Sequence, residues 1–411
     1  MEQTCHFNTK LLHRQAAREY ENREILPPVS QVTAFRYECM EDLERVFQHR
    51  SSGYAYTRIG NPTLTAFEQR INELEGGAGA VSCSSGMAAV AAALLAVCGS
   101  GDEIIAGSGL YGGTIGLFHD FEALGIRTRF VKDLREAEQY ITEKTKVIFG
   151  ELISNPALDV MDVPVVSGIA HRAGIPLFVD ATTATPYLAA PLKLGADVVI
   201  HSTSKYINGG GNAIGGVIVD GGRFPWDFAR HTALAAFRQY GKMAFYVRLK
   251  TDLWENLGGC MAPANAFLSS AGLDTLGLRM ERICQNADAL ARALADIPGI
   301  AVNYLTLPHH PYHAYVEKEL NGYGGGILSF RAGSRANAFR IINTLKYAMI
   351  ASNIGDVRTL VLHPASTIYR QAGKAEMEAA GVFEDTVRVS VGIEDDEDLI
   401  RDFTEAVMKN G

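Results

Sequence analysis

The chain has 411 residues, a formal charge of −8 and an apolar fraction of 47%, enough to bury a sizeable core in one large domain with a smaller companion. The acidic balance and the absence of a basic run argue against a nucleic-acid or anionic-membrane partner, and the longest apolar run, residues 87–98, is about half of what spans a bilayer. With Glu2 and His6 the N-terminus shows no signal-peptide pattern; the cysteines (Cys5, Cys39, Cys83, Cys98, Cys260 and Cys284) lack CxxC pairing and read as free thiols of a reducing cytoplasm, and the histidines lack HExxH spacing, His309-His310 lying in a Pro-flanked loop.

In chain order, residues 1–55 show no βα rhythm and carry the Pro27-Pro28 break, so an N-terminal arm, extended or with short helices, is expected. From residue 76 to 219 short apolar segments alternate with helical stretches. The segments are Ala80-Val81, Glu103-Ile104-Ile105-Ala106, Thr128-Arg129-Phe130-Val131, Lys146-Val147-Ile148-Phe149, Ile175-Pro176-Leu177-Phe178-Val179, Asp197-Val198-Val199-Ile200-His201 and Gly216-Val217-Ile218-Val219. Such alternation predicts an α/β domain, residues 56–253, with a mostly parallel sheet covered on both faces. After about Trp254 the pattern changes. Helical stretches over 274–297 precede the predicted strands Gly326-Ile327-Leu328-Ser329-Phe330 and Val387-Arg388-Val389-Ser390-Val391, which predict a smaller α+β domain over 254–411.

Three places along this frame can carry chemistry. Cys83-Ser84-Ser85-Gly86-Met87 follows a strand and opens an Ala-rich helix, so the free N–H groups at Ser85, Gly86 and Met87 can receive a phosphate; a plain Ser-capped helix has the same pattern. No Gly-x-x-x-x-Gly-Lys-Ser/Thr or Gly-x-Gly-x-x-Gly motif points to a nucleotide. Tyr111, just past the strand ending near Ala106, can stack on a ring or move a proton, or simply pack. Asp180 and Lys205 end or follow two adjacent predicted strands, at the edge where open α/β sheets bind ligands. A lysine there can form a Schiff base with an aldehyde cofactor, and an aspartate can keep the ring nitrogen of pyridoxal phosphate protonated. A buried structural Asp and a solvated Lys would explain either residue alone.

Taken with Tyr54-Ala55-Tyr56-Thr57-Arg58, Asn61-Pro62-Thr63, His363-Pro364-Ala365-Ser366 and Arg388, these motifs resemble the Cys/Met-metabolism family of pyridoxal phosphate enzymes across nearly the whole chain. The resemblance implies fold type I, the aspartate aminotransferase-like architecture. It implies that Lys205 binds the cofactor covalently, Asp180 pairs with its ring nitrogen, and Ser202 and Ser204 join Gly86 and Met87 around its phosphate. Tyr111 would stack on the ring and help the leaving group depart, and Asn155 would meet the ring hydroxyl side and the substrate. Arg388 would grip the substrate carboxylate through two parallel hydrogen bonds. Thr182 and the Ser352-Asn353 pair are carried over as further cofactor and substrate contacts. Tyr56 and Arg58 would reach the phosphate of a neighbouring subunit, which makes a dimer the minimum, an isolated monomer inactive and a tetramer the expected assembly. Structural alternatives stay open: Arg58 as a surface charge, Asn155 as a turn residue, Arg388 as half of a salt bridge.

Within the family, Asn353-Ile354-Gly355-Asp356, the Gly215 to Gly222 stretch with Phe224, and Met261-Ala262-Pro263 look most like O-acetylhomoserine sulfhydrylases. Gly113 stands where methionine γ-lyases usually carry a reactive cysteine. The pattern is departed from at Ala181 (many members have Asn), at Ile368-Tyr369 (more usually Thr-His) and in a shorter loop after Phe224. The implied reaction is γ-replacement on an O-acylated homoserine: loss of the α- and then a β-proton expels the γ-substituent, and sulfide or a thiol adds to give homocysteine or a thioether. The alternatives are a γ-lyase, a cystathionine γ-synthase or β-lyase, or a non-catalytic scaffold of the same fold.

Overall fold

The computed structural model describes residues 6–13, 24–48, 50–370 and 373–410; Cys5, one of the expected free thiols, and Glu2 lie outside them. A seven-stranded sheet has the order β1-β7-β6-β5-β4-β2-β3. Its strands are β1 (Gly79–Cys83), β2 (Glu103–Gly107), β3 (Arg127–Val131), β4 (Thr145–Glu151), β5 (Leu177–Asp180), β6 (Val198–Ser202) and β7 (Gly216–Asp220). All neighbours are parallel except that β7 runs against both β1 and β6. Since Cys83 and Ser202 both pair with Gly216, β1 and β6 run the same way and end at the same edge.

Helices cover both faces, which is why these strands read as unbroken apolar runs and not as alternation. Val147, Ile148 and Phe149, then Leu177, Phe178 and Val179, then Val198, Val199 and Ile200, are all fully buried. Each such side chain contributes about 1.5–3 kcal/mol of burial. The mostly parallel sheet expected from the sequence is therefore the observed one, and each of its strands coincides with a predicted segment.

A second, five-stranded sheet has the order β10-β11-β12-β9-β8. It comprises β8 (Val302–Asn303), β9 (Ile327–Arg331), β10 (Met349–Ile350), β11 (Leu360–Leu362) and β12 (Thr386–Ser390). Only β9 and β12 were predicted; the other three, of two or three residues each, are too short to show a period. The helix Leu276–Ala295 packs on this sheet with Leu290, Ala291 and Leu294 buried. The start of the chain has short helices, Phe7–His13 and Met40–Phe47. Leu11 of the first is buried, and its carbonyl accepts a hydrogen bond from Arg70 Nη2 at 3.0 Å. The described cysteines are all free, with Cys83, Cys98 and Cys284 buried.

Asp220 ends β7 in a costly setting. One carboxylate oxygen accepts from Gly222 N–H at 2.9 Å and the other is buried without a partner. Burial, with a smaller push from Asp197, raises its pKa from 3.8 to about 7. The folded protein then holds this proton between about pH 4 and pH 7 while the unfolded chain has lost it, so the contribution to stability present at low pH is lost as pH rises through 7. Asp220→Asn keeps the acceptor and removes the charge. Thermal or urea unfolding is expected to show the variant gaining over the parent by about 3–4 kcal/mol at pH 8 relative to pH 4, because each tenfold weakening of the acid on folding is worth about 1.4 kcal/mol.

Candidate active site

The parallel strands deliver their carboxyl ends to one edge, and β12 of the second sheet faces that edge with Arg388. Between them lies a cleft of about 970 Å³, its open mouth included. It is lined by Ser85, Gly86, Met87, Tyr111, Asn155, Asp180, Thr182, Ser202, Ser204, Lys205, Ser352, Asn353 and Arg388. All the site residues singled out in the sequence except Tyr56 and Arg58 are thus together, although they come from segments up to about 300 residues apart (Ser85 to Arg388).

Lys205 lies in the turn after β6, and its Nζ donates to Asn353 Oδ1 at 2.6 Å. Burial, and then the Arg388 guanidinium, push its ammonium below the ordinary lysine value. A larger share of the amine is therefore neutral and able to attack a carbonyl. Asn353 also accepts from Arg388 Nη2 through its backbone oxygen at 2.8 Å, so one residue holds both cations in place. Arg388 is 3% exposed, has no carboxylate partner among the described residues, and leaves Nε buried without an acceptor. Burial lowers its pKa to about 10, still charged at neutral pH. That is the setting of a cation awaiting an anionic ligand, and not of half a salt bridge.

Asp180 ends β5, where its Oδ1 accepts from Thr182 N–H at 2.9 Å, and Thr182 Oγ1 accepts from Ser202 N–H at 2.8 Å. Burial raises the Asp180 pKa. Glu151, which pairs with Asp180 across β4 and β5, also lines the cleft and was missed in the sequence. Burial first, and then the Asp180 charge, lift its carboxyl well above the usual range. Each of these half-buried carboxyls is harder to ionise than a free one, because both lose solvent and Glu151 also faces the Asp180 charge. Glu151 Oε1 accepts from Tyr111 N–H at 2.6 Å and Glu151 also receives the Asn155 backbone N–H, so it ties the two loops that carry those side chains.

Ser85 caps the helix Gly86–Leu95, its Oγ accepting from Ala88 N–H at 3.1 Å. A methyl group on Gly86 would stand 2.7 Å from Ser202 Cβ and 3.0 Å from Ser202 Oγ, so the bare backbone is what leaves room between this helix start and the end of β6. Ser204 Oγ donates to Gly215 O at 3.2 Å and accepts from Gly215 N–H at 3.0 Å. Asn155 Oδ1 is buried without a donor, and Tyr111 is 46% exposed at the mouth.

Tyr56 and Arg58 are not in the cleft. Arg58 lies 5.4 Å over the Tyr56 ring and donates to Glu255 O at 2.8 Å. Thr114, Thr183, Val90, Ile354 and Ile368 complete the lining; Ile354 stood in the sulfhydrylase-like stretch 353–356 and Ile368 as a departure, and the other three were not singled out as site residues.

These residues fit pyridoxal phosphate. The Gly86 cradle with its free helix-start N–H groups suits the phosphate, the half-buried Asp180 suits a ring cation, Lys205 is the available amine, and the orphaned Asn155 Oδ1 and Arg388 Nε are acceptor and donor that a ligand can satisfy. Gly86→Ala is accordingly expected to weaken cofactor binding about 10- to 100-fold, read by fluorescence titration of the cofactor-free protein. Unchanged affinity would place the phosphate elsewhere.

The comparisons with known proteins agree with the geometry. The model of the family described as Cys/Met metabolism PLP-dependent enzyme matches residues 8–408. An O-acetyl-L-homoserine sulfhydrylase of Corynebacterium glutamicum is 38% identical over 96% of this chain and 95% of its own length. A homocysteine/cysteine synthase of Saccharomyces cerevisiae is 38% identical over 98% of this chain and 97% of its own. A crystal structure from Campylobacter jejuni, described as a putative O-acetylhomoserine (thiol)-lyase and holding a pyridoxyl-lysine monophosphate, superposes with a TM-score of 0.93 at 34% identity, covering 98% of this chain and 99% of that one. The chain belongs to the Cys/Met-metabolism family of pyridoxal phosphate-dependent enzymes.

Proposed function

We propose that the protein catalyses γ-replacement on O-acetyl-L-homoserine, joining sulfide or a thiol to the four-carbon chain and releasing acetate. The observation that carries the reading is the buried Arg388, without a carboxylate partner among the described residues and tied through Asn353 to Lys205, in a chain matched over 96–98% of its length by relatives named for that activity. When bound, the cofactor supplies an electron sink that lets protons leave the carbon atoms next to the substrate nitrogen. Arg388 binds the α-carboxylate and so fixes which face of the substrate meets Lys205. Lys205 would hold the cofactor and, with the substrate amine bound in its place, would take the proton from Cα and then serve the proton at Cβ. Asp180 would hold the ring nitrogen as a cation, and Tyr111, which lines the mouth of the same cleft, would stack on the ring.

Gly113 favours this reading over a γ-lyase, because it leaves no thiol beside Tyr111 where a γ-lyase usually carries a reactive cysteine. Purified protein given O-acetylhomoserine and sulfide should yield homocysteine and acetate in equal amounts. No homocysteine beside efficient conversion of methionine to 2-oxobutanoate would reverse the assignment.

The division into an arm (1–55), a large cofactor domain (56–253) and a C-terminal domain (254–411) belongs to the same proposal, supported by the location of one sheet in each of the latter two. So do a shared-site dimer and a tetramer of two dimers. Their support is that Tyr56 and Arg58 lie outside their own chain's cleft, while Ile25, Met40 and Phe47 expose 91%, 71% and 55% of their surface. A fully active monomer by light scattering would contradict it. No helix among the described residues is long and apolar enough to cross a membrane, and a cytoplasmic setting is proposed on the free cysteines.

A further inference from the structure

Part of the cleft lining is aliphatic side chain that neither the cofactor phosphate nor the substrate carboxylate uses. Ile368 lines it, and a methyl placed on Gly112 would lie 3.2 Å from Ile368 O, so this residue sits against the start of the helix Gly112–Ala123, beside Tyr111. On the far side of that helix start, Thr114 Oγ1 is 3.9 Å from Met87 Sδ, and Val90 stands one turn beyond Met87 on its own helix. Ile368, Met87 and Val90 thus add aliphatic surface to the cleft that Tyr111 also lines, where the leaving group would depart and the nucleophile would enter.

Ile368 is also held. The next residue, Tyr369, is 3% exposed, and its hydroxyl donates to Asn155 O at 3.0 Å, with Leu110 O at 3.5 Å. Its ring packs with Ala365, Ala380 and Val382 in a small apolar cluster separate from the main core, with Ile368 against it. The Tyr369 hydroxyl therefore links this cluster to the loops carrying Asn155 and Tyr111.

We propose that Ile368 selects the nucleophile, favouring a thiol with a carbon substituent over inorganic sulfide, and that Tyr369 is the positioning residue that keeps Ile368 in the cleft. The inference rests on the γ-replacement reading and names its acceptor class. An alkyl group gains by leaving water for an aliphatic wall, whereas sulfide has no carbon to bury and loses hydration there. The step balances: the thiol sulfur forms a bond to Cγ, the Cγ–O bond to acetate breaks, and the thiol proton is released with the acetate as the equivalent of acetic acid, with no change of oxidation state.

The test compares kcat/KM for methanethiol and for sulfide at fixed O-acetylhomoserine, with acetate release read separately. The parent should prefer methanethiol. Ile368→Thr keeps the branching at Cβ but replaces aliphatic surface with a hydroxyl, and should lower the methanethiol-to-sulfide ratio about tenfold, the range for one small apolar group in a pocket. Ile368→Val, which stays wholly aliphatic, should hold the ratio closer to the parent's than Ile368→Thr does. Tyr369→Phe should lower the ratio through the thiol KM and not through kcat, with the cofactor absorbance unchanged. Acetate release with a ratio that is the same in the parent and Ile368→Thr, or a parent that prefers sulfide, overturns this proposal alone. No acetate release with any acceptor overturns it together with the reaction it rests on.

Discussion

Lys205→Ala is expected to lower kcat/KM by about 10⁴-fold or more, because it removes both a covalent anchor and a proton carrier, the second alone being worth roughly 10²–10⁴. The variant should still bind pyridoxal phosphate, since the Gly86 cradle and Asp180 remain, but should form no borohydride-reducible adduct of its own. The fold should tolerate the change. Lys205 is held by one hydrogen bond to Asn353 Oδ1, and its buried amine sits beside the Arg388 guanidinium, an arrangement that gains nothing in stability from the charge. Absorbance spectra, reduction with borohydride and unfolding curves on the same preparation separate these effects. A variant that keeps a tenth of the parent's activity would remove Lys205 from the mechanism.

The second large effect is at Arg388. Arg388→Leu should cost about 10³-fold in kcat/KM for the amino-acid substrate, within the range of about 2–5 kcal/mol for removing one partner of a desolvated charge pair. Arg388→Lys should recover only part of this, since an ammonium cannot grip a carboxylate through two parallel bonds. Unfolding in the absence of substrate gives the opposite sign for a structural role. Half of a buried salt bridge would cost about 3–5 kcal/mol when removed, whereas a buried cation with no carboxylate partner among the described residues and an unsatisfied Nε should cost little, and Leu should be as stable as the parent. Equal losses of stability and activity would favour the structural reading.

What could be read in advance follows from burial. The strands of the large sheet were visible because helices cover both faces, so that Leu177-Phe178-Val179 and Val198-Val199-Ile200 became short apolar runs ending in polar residues. Asp180 and Lys205 stood out at those ends. Glu151 stands at the same place on β4, but the run Lys146-Val147-Ile148-Phe149 stops two residues short of it, with Gly150 between. Its role depends on a neighbour across the sheet, Asp180, which chain order alone does not place beside it. Asn353 was named as a substrate contact; that it holds both Lys205 and Arg388 is a property of a loop meeting two elements far apart in the chain. Tyr56 and Arg58 were named through the family resemblance and lie outside the cleft of their own chain, which is the placement the proposed shared site calls for. Ile368-Tyr369 was visible only as a departure, and its geometry turns that departure into a proposed acceptor wall.

If Lys205 moves the protons at Cα and Cβ while Arg388 holds the substrate, substitution at Cγ leaves a record in the product. Running the reaction of O-acetylhomoserine with sulfide in D₂O and examining the homocysteine by NMR reads that record directly. Deuterium is expected at both Cα and Cβ; homocysteine that retains hydrogen at both positions would mean direct displacement of acetate and would contradict the proton-transfer mechanism.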